Sequence, residues 1–344
     1  MTDFDSVLLV AFGGPEKIED IRPFLEIVSA GRRIPAERLE EVAHHYELIG
    51  GRSPLNELTM RQAEGLRQTL KQDGVPTPVH VGMRNWHPFL HETLAEMRDR
   101  GCRKTLGIIL SSFQTEASWE RYVADVAAAR EKVGADAPEV IYAPPWGEHP
   151  RFIDAMVARA ADALAQVPAP KRADALLVFT AHSVPVAMAS GSPYARQIEA
   201  AALLIAGRLG HARWQIAYQS RSGSPSDPWL EPDICDALRR VKGQGIEDVV
   251  VVPIGFVCDH VEVLYDLDVE ASAVAAEAGL RFHRAQAAND HPAFIAMLAD
   301  LVTRGRGEAG RRRRRHRGAG GRPSRRRARA GARPAARADA LRGW

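Results

Sequence analysis

Eight short apolar runs, rich in β-branched residues and bounded by Gly, Pro or polar positions, punctuate the chain. They are VLLVAFG (7–13), VHVGMR (79–84), TLGIILSS (105–112), VIYAP (140–144), LLVFTAHS (176–183), WQIAYQS (214–220), DVVVVPIGFV (248–257) and RFHRAQ (281–286). Runs of this length and composition read as buried strands. Between them lie segments with apolar residues three and four apart, such as LNELTMRQAEGLRQTLKQ, YVADVAAAREKV, PRFIDAMVARAADALAQV and ARQIEAAALLIAGRLG, which read as amphipathic helices. Alternation of strand and helix predicts parallel sheets covered on both faces. The third and fourth strands recur at about 140 residues' separation, which predicts an internal duplication. The expected architecture is therefore two similar α/β domains, residues 1–150 and 151–290, with a ligand cleft between them. A last helix, HPAFIAMLADLVTRG (291–305), is expected to return to the first domain and end the folded body near residue 307.

The seventh run leads directly into VEVLYDLDVEA, where Glu262, Asp266 and Glu270 stand four residues apart. On a helix this spacing stacks three carboxylates on one face, and like charges so placed destabilise the helix unless a cation or protons offset them. A solvated acidic face is the plainer reading, but a position at the carboxyl end of a strand is where open parallel sheets place ligands. His182 ends the fifth run in the same way. Its imidazole can accept a proton or bind a borderline metal at neutral pH. A histidine that merely caps a strand is the simpler reading of it alone; facing Glu262 across one crevice, it becomes a catalytic candidate. Asp259 and His260 are adjacent and His260 is two residues from Glu262, so the three cannot all converge on a helix, and supporting or helix-start roles suit Asp259 and His260 better; His44 and His45 diverge for the same reason. Gly13-Gly14-Pro15 marks a sharp turn after the first strand. This turn is not a GxGxxG fingerprint, and no GxxxxGK[ST] occurs, so nucleotide binding has no motif behind it at the first strand.

Composition limits what the chain can be. Its 344 residues are 45% apolar, enough for a sizeable core, and no apolar run is long enough to span a bilayer. The N-terminus is acidic where an export signal is basic, so a cytoplasmic protein is expected. Cys102, Cys235 and Cys258 form no CxxC pair and read as core residues rather than a disulfide or zinc framework. The net charge of +3 conceals an asymmetry: residues 311–344 hold 14 Arg and one Asp, leaving about −10 on the remainder. This tail (308–344) lacks core-forming residues and is expected to be disordered. It reads either as an anion-binding arm for nucleic acid or a membrane surface, or as GC-rich text translated out of frame, the reading preferred here.

Six blocks, LLVAFGGPE, HYELIGGRSPLNELT, VGMRNWHPF, FTAHSVP, YQSRSGSPSDPWLEPD and VPIGFVCDHVEVLYDLD, occur in the order used by ferrochelatases, and the chain resembles that family from about residue 6 to 307. The resemblance implies a chelatase fold of two flavodoxin-like (Rossmann-like) halves and a lyase of heme biosynthesis that inserts ferrous iron, as substrate, into a porphyrin. It places His182 and Glu262 at the metal insertion site, with Asp266 and Glu270 continuing an acidic line that in some members holds a second hydrated divalent cation. It places Ser29, Arg32, His45, Tyr46, Ser53 and Tyr122 at the porphyrin. Phe12 stands where some members carry a Tyr that reaches the iron, so that oxygen donor is missing here. No organic cofactor is implied. Some members hold a [2Fe-2S] cluster on four thiolates; with three cysteines, none in the C-terminal region, and Trp119 near the place of an internal cluster ligand, this chain is not expected to hold one.

Membrane-bound relatives that use protoporphyrin IX carry an apolar lip over the cleft, whereas EKIEDIRPFLEIVSAGRRIPAE is mixed and charged. This favours coproporphyrin III, whose four propionates suit Arg22, Arg32 and Arg33. Protoporphyrin IX is the alternative substrate. Behind it stand a cobalt chelatase of an early tetrapyrrole, which commonly uses more than one cleft His, and a nucleic-acid-binding protein acting through the Arg tail. A monomer without a membrane span is expected.

Overall fold

The computed structural model describes residues 4–31, 34–222 and 227–318, with side chains to residue 306. The first half contains β1 (Ser6–Ala11), α1 (Ile18–Ser29), α2 (Ala36–Leu48), α3 (Leu55–Gln72), β2 (Val79–Met83), α4 (Leu90–Asp99), β3 (Lys104–Ile109), α5 (Arg121–Val133) and β4 (Glu139–Tyr142). After α6 (Pro150–Ala165), the second half runs through β5 (Leu176–His182), α7 (Val186–Ser190), α8 (Tyr194–Leu209), β6 (Trp214–Gln219), α9 (Ile234–Val241), β7 (Asp248–Val252), α10 (Val261–Leu264), α11 (Ser272–Glu277) and β8 (Arg281–Arg284). Last comes α12 (Pro292–Gly318).

Each half holds one four-stranded parallel sheet, ordered β2-β1-β3-β4 and β6-β5-β7-β8. The eight strands match the eight apolar runs, and the two orders are the same permutation. Every residue of β1 and of β7 is buried, as central parallel strands covered on both faces require. In each sheet the chain reverses its direction of winding beside the first strand, between β1 and β3 and between β5 and β7, and ligands of open α/β sheets bind at that crevice.

The seventh strand is shorter than its apolar run. It stops at Val252 because Pro253 has no N–H to donate, and Gly255 then passes so near β5 that a Cβ there would lie 2.6 Å from the Cα of Ala181. Residues 253–260 are therefore a loop, and the acidic segment is not entered directly from the strand. Nor is that segment one regular helix: a single turn, α10, is followed by a wide π-helical turn at Asp266–Ala271, in which Glu270 N donates to Tyr265 O at 3.0 Å. Such turns interrupt α-helices most often at functional sites.

The largest core is continuous across residue 150. It joins Leu9 and Ile108 of the first sheet to Phe152 and Met156 of α6 and to Phe179 of the second sheet. The returning helix closes it, with Phe294 packed edge-on against Trp146 and Phe152, and Ile295 over Gly65 of α3. The backbone of α12 continues past residue 307, where the folded body was expected to end, and runs through the first Arg block to Gly318. The rest of the Arg-rich tail, 319–344, lies outside the described residues. Among the described residues no helix is long and apolar enough to cross a membrane.

Candidate active site

Between the halves lies a cleft of about 1140 Å³, lined by residues of both. Small-ligand pockets typically span roughly 300–1,000 Å³, so this one admits a ligand as large as a tetrapyrrole. β5 delivers His182 to its floor and α10 delivers Glu262, which places His182 Nε2 3.7 Å from Glu262 Oε1, with both side chains about one-third exposed. The other ring nitrogen, Nδ1, lies against the carbonyl of Ser183. A carbonyl only accepts, so Nδ1 carries a proton, and in the neutral ring the Nε2 lone pair faces the carboxylate. Two acceptors at this separation make no hydrogen bond with each other. They can share a proton, or a cation at the usual 2.0–2.2 Å from each donor. The strand end is held from behind by Tyr194, whose buried hydroxyl donates to His182 O at 2.9 Å.

Asp266 and Glu270 line the same cleft as Glu262, although they follow a widened turn rather than one α-helical face. Burial, opposed by a hydrogen bond from Ser220 and reinforced by Glu262 and Glu270, raises the Asp266 carboxyl to about 8, so it holds a proton at neutral pH. Glu270 is raised too, by partial burial and then by the Asp233 carboxylate. Among the described residues no three His, Cys, Asp or Glu side chains converge closely enough to hold a metal ion. His182 and Glu262 are thus a pair of donors without a third beside them among the described residues. The three cysteines are buried in three separate cores.

The remaining residues divide into those at the cleft and those away from it. Phe12, Ser29, His45, Tyr46, Ser53 and Tyr122 all line it. Phe12 sits edge-on to Phe24 at its mouth, and the rings of His45 and Tyr265 stack 3.6 Å apart, bridging α2 to the second half. Tyr46 and Tyr122 are buried, and burial raises both phenols, so both are neutral donors. Ser53 packs so closely on Gly14 that a Cβ there would lie 2.9 Å from its own Cβ, and Asn56 brackets the Gly14 peptide with two hydrogen bonds of 2.9 Å. This close approach is what the Gly13-Gly14 pair permits. Arg22, expected at the substrate, instead grips Glu40 across α1 and α2 and does not reach the cleft. Two carboxylate oxygens on the neighbouring helix outcompete a distant ligand for its guanidinium. Arg32 and Arg33 lie outside the described residues.

Sequence reasoning passed over Arg38, Arg121, Lys132 and Arg84, all at the cleft. Arg84 lies 4.3 Å above the Tyr122 ring and is paired with Asp125. Its place directly after β2, at a strand's carboxyl end, was the available signal. Asp259 and His260 do take supporting roles: His260 caps α10 through Glu262 N, and Asp259 is bound by Arg284 and Asn289.

The ferrochelatase family profile matches residues 5–306. A coproporphyrin III ferrochelatase of Mycolicibacterium paratuberculosis is 45% identical over 303 residues, covering 87% of this chain and 88% of the relative. A ferrochelatase of Rhodopirellula baltica is 41% identical over 303 residues, covering 87% and 85%. Among solved structures, SirB from Bacillus subtilis with Fe3+ superposes with a TM-score of 0.54 at 12% identity, covering 88% of this chain and 96% of that one. A multi-domain Deinococcus radiodurans protein with structural similarity to chelatases gives a TM-score of 0.56 at 19% identity, covering 87% and 55%. These two likenesses concern the fold alone.

Proposed function

Because the chain belongs to the ferrochelatase family, a family of metal chelatases that insert iron into porphyrin, we propose that it inserts ferrous iron into coproporphyrin III through His182 and Glu262. The observation that carries this reading is the pair of acceptors, 3.7 Å apart, on the floor of a cleft of tetrapyrrole size. Metalation removes two N–H protons from the macrocycle as one divalent ion enters. The Nε2 lone pair of His182 takes a proton from a pyrrole nitrogen, and Nδ1, held on the Ser183 carbonyl, keeps the ring turned toward the substrate. Glu262 meets the incoming cation or passes protons outward. Asp266 and Glu270 extend that route: a cation arriving there displaces the Asp266 proton, and a proton leaving the cleft replaces it. A second hydrated cation on this stripe is part of the same proposal.

Aliphatic side chains such as Leu25, Val28 and Ile34 wall the macrocycle, while Arg38, Arg121 and Lys132 supply positive charge for propionates. Coproporphyrin III carries four propionates, and its choice is supported by this charge and by several curated relatives at 43–45% identity named for that substrate. Phe12 supplies no oxygen donor to the iron. The test is anaerobic incubation with ferrous iron and each porphyrin separately, followed by absorbance. Faster metalation of coproporphyrin III is expected, and faster metalation of protoporphyrin IX would overturn the choice.

A further inference from the structure

β6 ends on Gln219 and Ser220 follows it, two uncharged residues that together touch three groups of the site. In the β5–β6 ladder Gln219 stands beside His182, and Ser183 N donates to Gln219 O at 2.7 Å. The Gln219 side chain turns the other way, and its Nε2 donates to the main-chain carbonyl of Glu262. Ser220 holds a left-handed backbone, φ +62°, which costs a serine energy, and its hydroxyl donates to Oδ2 of the Asp266 carboxyl group. Gln219 is 1% exposed, and its Oε1 is buried with no hydrogen-bond partner among the described residues. A buried amide with one end unsatisfied destabilises the fold, so packing alone does not account for a glutamine at this place.

We infer that Gln219 is a positioning residue that sets the gap between His182 and Glu262, with Ser220 setting the place of Asp266. The reason lies in the connectivity. His182 is fixed by its own strand, whereas Glu262 follows a loop of residues 253–260 that leaves β7 and is pinned to β5 only well before Glu262, where Gly255 N donates to Thr180 O at 3.0 Å. The Gln219 amide ties the first turn of α10 to the strand that flanks His182, so the two acceptors share one reference. A displacement of about 1 Å in a reacting group costs on the order of 10²-fold in rate.

The inference rests on the metal-insertion reading above, and Gln219→Met tests it. Methionine is similar in length but removes both the donor and the unsatisfied acceptor, so a purely structural role predicts an unchanged or raised melting temperature with normal turnover. A positioning role predicts that kcat falls about tenfold or more while porphyrin affinity, read by fluorescence quenching, and melting temperature stay near wild type. A kcat within about twofold of wild type would overturn the inference, and so would a joint fall of kcat, porphyrin affinity and melting temperature. Ser220→Ala should leave kcat closer to wild type and raise the iron concentration needed for half-maximal rate. If wild-type protein metalates neither porphyrin, the functional reading falls first, and cobalt(II) titration without porphyrin then decides on Gln219. Weaker binding in Gln219→Met than in wild type supports the inference; equal binding, or none to wild type, refutes it.

Discussion

An imidazole 3.7 Å from a carboxylate gives each residue a separate expectation. His182→Ala removes the base, and turnover should fall by roughly 10²–10⁴-fold. Because the macrocycle rests on other walls of the cleft, porphyrin affinity measured by fluorescence should stay close to wild type, and normal turnover in that variant would remove His182 from the mechanism. Asp266 makes a different prediction. Its carboxyl is raised from 3.8 to about 8 in the folded protein, so the fold binds a proton that the unfolded chain has released. The stability associated with that proton is present at low pH and is lost as pH rises through about 8. Asp266→Asn keeps the neutral form at every pH, so the metal-free variant should gain in melting temperature over wild type between pH 5 and pH 9. A constant difference across that range would contradict the assignment. What the sequence made legible at this scale was His182 at the end of β5; Glu262 stands on α10, beyond a loop that the apolar text had hidden. Gln219 was not legible because it acts through a main-chain carbonyl, and Arg22 was misplaced because its partner, Glu40, comes from the next helix.

Among the elements, the loop of residues 253–260 and the turn that follows it do most to shape the cleft. Apolar patterning located every strand, because central parallel strands must be apolar throughout. It overran the end of β7, since Pro253, Gly255 and Phe256 continue the apolar text while the backbone has already left the ladder. The widened turn at Asp266–Ala271 carries no comparable mark, as the same residues also satisfy an α-helix. Gly255→Ala would set a methyl 2.6 Å from the Cα of Ala181, a backbone atom that cannot swing aside. Overpacking of this kind typically costs about 1–3 kcal/mol, and urea denaturation should show a loss of that order. Metalation should fall as well, because a shift of this loop moves α10 and Glu262 with it. A variant as stable as wild type would show that the loop is free to relax.

Taken whole, the molecule joins two sheets of the same strand order through a common core, and the recurrence of the strands was visible in their spacing. The continuity of the core through α6 was hidden, because periodicity reports which face of a helix is apolar and not which sheet covers it. The family match ends at residue 306, just before the first Arg block. Removal of residues 311–344 should therefore leave iron insertion unchanged, as measured by porphyrin absorbance, and a fall in rate would assign the tail a part in the reaction.

In the proposed reaction, a cation met by just His182 and Glu262 among the described residues has a consequence for the traffic of metal. A cage of three or four donors would rank first-row ions by intrinsic affinity and retain the tightest, which at a transit point means poisoning by copper or zinc. A half-built shell releases whatever it receives to a better chelator, and the tetrapyrrole, with four nitrogens in one plane, is that chelator. The selection of iron is thereby handed to whatever supplies the ion, and the direction of transfer is set by the macrocycle rather than by the protein.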